Sequence, residues 1–134
     1  MLKTFRFFIA LFGAVCWLIA LAHIIAGPTS IPGGGPVTAT TDSEERFYAA
    51  LFLGFGAALV WCSRDVRARS ELLSFLLIIF FLGGTARIIS VIQFGFPSEL
   101  YTFLGVVELI LPPILWWWRN EVLARQTNSP AGAK

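Results

Sequence analysis

The sequence predicts an all-α polytopic membrane protein, a bundle of four transmembrane helices with both termini in the cytoplasm. Three observations predict it. Of the 134 residues, 57% are hydrophobic and only 13% are charged, and the mean hydropathy is +0.76, a composition that belongs to integral membrane proteins. The apolar residues gather in four long stretches, roughly Phe5 to Ala26, Phe47 to Cys62, Leu72 to Phe94 and Leu100 to Trp118, each near the ~20 residues a membrane-crossing helix needs. Cationic loops alternate with acidic ones along the chain. A membrane barrel is excluded by pattern, because it needs many ~10-residue alternating segments instead of a few continuous apolar runs.

The first helix is expected over about residues 4–26. Lys3 and Arg6 precede its apolar run as they would in a signal peptide, but no clean small-x-small cleavage site follows, so it reads as a retained helix, with cleavage as the alternative. An external loop over residues 27–43 comes next. Its Pro28, Pro32 and Pro36 with Gly33, Gly34 and Gly35 oppose a helix through its first half, and it reads either as a cap over the bundle mouth or as a mobile linker. The second helix, about 44–63, has Thr41 or Asp42 as candidate caps and acidic residues at its positive end. The third, about 70–94, has Ser70 as its candidate cap, and the fourth covers about 98–118. Residues 1–125 form one membrane domain in this reading, and residues 126–134, polar and proline-containing, form a disordered cytoplasmic tail.

Charge placement supplies the orientation. Lys3 and Arg6 precede the first helix, Arg64, Arg67 and Arg69 fill the second loop, and Arg119, Arg125 and Lys134 follow the fourth helix. Asp42, Glu44 and Glu45 occupy the first loop, with Arg46 at its membrane edge, and Glu99 the third. The positive-inside rule then puts both ends and the Arg64–Arg69 loop in the cytoplasm, consistent with the bacterial cytoplasmic membrane. Trp116, Trp117 and Trp118 before Arg119 read as an aromatic belt ending in a snorkelling cation. A formal charge of +2 without a dense basic face on a soluble unit excludes a nucleic-acid partner.

Small residues define expected packing faces: Ala10, Gly13 or Ala14, Trp17 and Ala20 on the first helix, and Ala50, Gly54 and Ala57 on the second. Gly83, Arg87, Ser90 and Phe94 share a face of the third helix, and Tyr101, Gly105, Glu108 and Pro112 a face of the fourth. Pro112 and Pro113 lie inside the fourth apolar run, where they can bend it. Cys16 and Cys62 are expected as packing residues on opposite halves of the bilayer, with neither a disulfide nor metal-ligand spacing.

Arg87 and Glu108 are the informative residues, because ionisable groups at membrane depth are costly. With a rise of ~1.5 Å per residue, Arg87 lies roughly 10 Å and Glu108 roughly 15 Å below the external boundary, so an ion pair between them is expected. His23, Arg46, Gln93 and Tyr101 fall in the same outer half. Two readings follow: a pair that locks two helices, or an externally opening polar-lined pocket to which every helix contributes. No cofactor is implied, since one histidine and no cysteine or carboxylate cluster leave no metal, haem or nucleophile site.

Glu-Arg-Phe at 45–47 followed by Gly54, Gly-Gly-Thr-Ala-Arg at 83–87, then Gly105 with Glu108 and Pro112, resembles the small bacterial membrane-protein family known as domain of unknown function 4345. The resemblance spans Phe7 to about Trp118. It implies a four-helix membrane architecture, no particular activity, and Arg46, Arg87 and Glu108 as the family-like polar positions.

Three functions fit the sequence. The first is a module binding a lipid or other amphiphile through Arg46 and Arg87, whose guanidinium forks suit an anionic or carbonyl head. The second is an accessory or assembly subunit of a larger membrane complex, or a homo-oligomer. The third, an enzyme or proton-coupled transporter using Glu108, ranks last because four helices are few for alternating access and no catalytic constellation is present.

Overall fold

In the computed structural model, which describes residues 1–127, the chain is all-α. It forms α1 (Leu2–Ala26), a 3-10 turn (Gly27–Ser30), α2 (Ala39–Arg64), α3 (Ser70–Phe94) and α4 (Glu99–Thr127). All four helices are long and apolar enough to cross a membrane. At 25 to 29 residues they are about 37–44 Å long, which exceeds the ~30 Å hydrocarbon core. Helices are what such runs must form in lipid, where every backbone N–H and C=O has to be satisfied within the segment.

The ends depart from the sequence expectation for local reasons. Helix α2 starts at Ala39 because Thr38, not Thr41 or Asp42, is its cap: the Thr38 hydroxyl accepts the Thr41 N–H at 3.2 Å. Ser70 is the first residue of α3 and follows an Arg69 with no side-chain cap bond. Helix α4 continues past Trp118 through Gln126 and Thr127, since the polar run after the belt still contains good helix formers. The remainder of the expected tail, residues 128–134, lies outside the described residues. Gly27 and Gly95, at φ 59° and 84°, turn the chain out of α1 and α3 in a conformation that glycine adopts without strain.

The helices form two antiparallel hairpins. Rungs between α1 and α2 keep a constant register: Arg6 Nε donates to the Ser63 carbonyl at 2.7 Å, Gly13 backs onto Gly56, Trp17 Nε1 donates to the Leu53 carbonyl at 3.0 Å, and His23 meets Glu45. The small-residue face of α2 is therefore Ala49 and Gly56, both buried, and not Ala50, Gly54 and Ala57. Small residues lie on several sides of α2, and only backbone contact with Gly13 selects among them. Cys16 touches Gly56, one and a half turns or roughly 9 Å along the axis from Cys62. That separation is too long for a disulfide, and both thiols are free and buried.

Phe80 joins the hairpins, with its ring centroid 5.0 Å from Phe12 and 5.7 Å from Phe55. Trp118 lies 5.2 Å from Phe5 and 5.8 Å from Phe8. Fully buried Phe5, Ile9, Leu59, Leu73, Leu77 and Leu115 place the core in the half of the bundle that carries the Arg64–Ser70 loop. The opposite half has small residues between its helices and is tied by polar contacts.

Arg119 differs most from expectation. It is 8% exposed and does not snorkel. It donates to the Ser70 carbonyl at 3.1 Å and to the Ser74 hydroxyl, grips Asn120 Oδ1 at 2.8 and 3.1 Å, and lies over Trp116. With Ser74 and the α3 start facing it, the guanidinium finds protein acceptors and stacks on a ring, so it fastens α4 to α3.

Candidate functional site

The polar contacts of the half opposite the Arg64–Ser70 loop are built on these hairpins. Arg87 on α3 and Glu108 on α4 form a two-bond fork, Nε to Oε2 at 2.6 Å and Nη2 to Oε1 at 3.0 Å, the paired geometry in which guanidinium–carboxylate contacts are strongest. Neighbouring glycines make room for it. A Cβ at Gly105 would sit 3.3 Å from Arg87 Cδ, and one at Gly84 would sit 2.9 Å from the Glu108 Cβ. Tyr101 lies on the same face of α4 as Gly105 and Glu108. Its ring centroid is 5.4 Å from the Arg87 guanidinium carbon, within cation–π range. Glu108 is the more enclosed partner, at 13% side-chain exposure against 38% for Arg87.

A second cluster ties α1 to α2. His23 Nδ1 pairs with Glu45 Oε1. Arg46 grips Asp42 through Nε at 2.8 Å and Nη2 at 3.0 Å, while Nη1 donates to the carbonyls of Ile24 and Ile25. A cation on the last carbonyls of α1 satisfies acceptors that the helix itself leaves open and complements its negative end. The turn closes onto this arrangement: a Cβ at Gly27 would lie 2.5 Å from Asp42 Oδ1 and 2.9 Å from Arg46 Nη2. Gly27→Ala is therefore expected to cost about 1–3 kcal/mol from the positive-φ backbone alone. Thermal unfolding in detergent would read this as a lowered Tm, and an unchanged Tm would contradict the packed turn.

Five of the six expected residues thus fall into two groups: Arg87, Glu108 and Tyr101 on the α3–α4 hairpin, and His23 and Arg46 on the α1–α2 hairpin. Gln93 is exposed and takes no part in these contacts. Two cavities, of about 260 and 220 Å³, lie elsewhere, and neither is lined by any of the six residues. Sequence reasoning missed Glu45 as the partner of His23. The available signal was that an antiparallel hairpin brings the last turn of α1 opposite the first turns of α2, where Glu45 lies.

Among the described residues, no group of three or more His, Cys, Asp or Glu side chains is placed to hold a metal ion. Neither a curated protein nor a solved structure matches the chain. A family model described as "Domain of unknown function (DUF4345)" matches residues 4–119, a span that runs from the first turn of α1 to Arg119 and includes both polar clusters, and the chain belongs to that family.

Proposed function

We propose that this small integral membrane protein binds an amphiphile, with an anionic or carbonyl headgroup on Arg87 and its tail along the α3–α4 hairpin, at the outer face of a bacterial cytoplasmic membrane with both termini inside. One observation carries the reading. Arg87 spends Nε and Nη2 on Glu108, and among the described residues its Nη1 has no partner, so a donor edge stays available on a side chain that is 38% exposed. Glu108 orients the guanidinium and Tyr101 covers it.

Arg46 differs, since all three of its nitrogens are engaged. It serves as the cap that positions α1 on α2. About one helical turn further in from Glu108, an open groove of about 220 Å³ is lined by Leu77, Ile78, Phe81, Leu82, Pro112 and Trp116, and it offers an apolar course for an acyl or isoprenoid tail.

The test is native mass spectrometry of the protein in native lipid discs. R87M/E108M removes both charges together and so strands neither. It is expected to lose the enriched amphiphile by at least about tenfold, the equivalent of one charge-assisted hydrogen bond. An identical lipid complement in both proteins would overturn the reading.

A second reading, a subunit of a larger membrane complex or a homo-oligomer, is favoured by Phe94 and Phe96. They are 86% and 79% exposed at the α3–α4 turn, where aromatic rings can meet a partner. A stoichiometric protein in the same discs would support it. The transporter reading requires Glu108 to leave its pair with Arg87.

A further inference from the structure

The end of the bundle opposite the Arg87 site carries a cavity of about 260 Å³ lined by Leu2, Arg6, Arg64, Asp65, Arg67 and Gln126. Three elements converge there: the start of α1, the end of α2 with the loop after it, and the end of α4. Three guanidiniums face one carboxylate, and that carboxylate already accepts the Ala68 N–H at 3.1 Å. Arg6 uses Nε on the Ser63 carbonyl, which fixes its stem and leaves its two terminal nitrogens to point elsewhere. Arg64 and Arg67 are exposed and have no ion pair among the described residues.

Loop arginines that only set topology need no cavity. Here they surround one that is smaller than the ~300–1,000 Å³ of drug-sized pockets, a size suited to a headgroup.

We propose that this cavity binds the phosphate of a phosphate ester, with Arg6, Arg64 and Arg67 on the phosphate oxygens. Guanidinium groups suit the phosphate because their donors pair with its oxygens. At the end of membrane-spanning helices two sources present this chemistry: an anionic phospholipid or a soluble phosphate.

The experiment places the full chain in lipid discs of phosphatidylcholine doped with phosphatidylglycerol and counts retained phosphatidylglycerol by native mass spectrometry, with and without inorganic phosphate. Wild type is expected to retain phosphatidylglycerol, and R64Q/R67Q to lose roughly thirtyfold in preference, as two interfacial arginines would contribute. Both substituted side chains are exposed, so the fold should persist.

Retention that resists inorganic phosphate assigns the site to lipid. Displacement by inorganic phosphate assigns it to a soluble ester. Equal retention by wild type and R64Q/R67Q, or no preference for phosphatidylglycerol in wild type, would overturn the proposal. R87M/E108M, which tests the other end of the bundle, is expected to retain phosphatidylglycerol normally, so failure of one site does not count against the other.

Discussion

Replacing Arg87 alone with methionine is expected to destabilise the bundle by about 3 kcal/mol, whereas R87M/E108M recovers most of that loss. The two hydrogen bonds are the smaller part of the effect, since hydrogen bonds between membrane helices average ~0.6 kcal/mol each. The larger part is the carboxylate left behind. Glu108 is short, 13% exposed and set within an apolar span, and a lone charge at mid-membrane costs about 2.5–3.5 kcal/mol on insertion scales.

The reverse single change is expected to be milder. In E108L the long Arg87 side chain remains, and it can snorkel toward the interface. The predicted order of stability therefore has R87M lowest, E108L intermediate and the double variant nearest wild type. Reversible unfolding in mixed detergent micelles would measure it. R87M within about 1 kcal/mol of wild type would mean that the pair is not desolvated, and would weaken the case for a headgroup site there.

The second large effect is expected at Gly56. A Cβ there would lie 2.7 Å from the Gly13 carbonyl oxygen, 2.8 Å from Trp17 Cδ1 and 3.1 Å from Cys16 Cβ. The nearest of these is backbone, so a side chain cannot be accommodated by a rotamer change and α1 must move away. Gly56→Val is expected to cost about 1–3 kcal/mol or more through overpacking. It should also break the bond from Trp17 Nε1 to the Leu53 carbonyl, 3.0 Å long, which depends on the same close approach.

Gly54, two residues away, is the control. Nothing lies within 4 Å of a Cβ added there, so Gly54→Ala is expected to be neutral or to stabilise by up to about 1 kcal/mol through helix propensity. Equilibrium unfolding of both variants separates the outcomes. Equal effects at the two glycines would contradict the register.

How much was legible in the sequence follows from the range of each interaction. The four helices were, because continuous apolar runs of membrane length leave the backbone no other way to satisfy itself. The Asp42–Arg46 contact is legible too, because spacing of four on one helix brings side chains together whatever the tertiary fold. The Arg87–Glu108 pair was also legible: two ionisable groups at similar depth on adjacent antiparallel helices have few other partners in lipid. The α2 packing face was not, because glycines and alanines on several sides gave a choice that local sequence cannot resolve. Arg119 was misread because an arginine beside tryptophans has the same local appearance whether it snorkels or turns inward to Ser70 and Ser74.

The sequence by itself thus determined what depends on hydropathy and on spacing within one helix: four spans and the two charges that must find each other. Only the tertiary structure decided the contacts between helices: Gly13 on Gly56, Glu45 opposite His23, Arg46 on the end of α1, and Arg119 on the start of α3. These depend on the rotation and register of one helix against another. In lipid, where apolar burial between helices has little directional preference, backbone approach at small residues and a few hydrogen bonds select that arrangement.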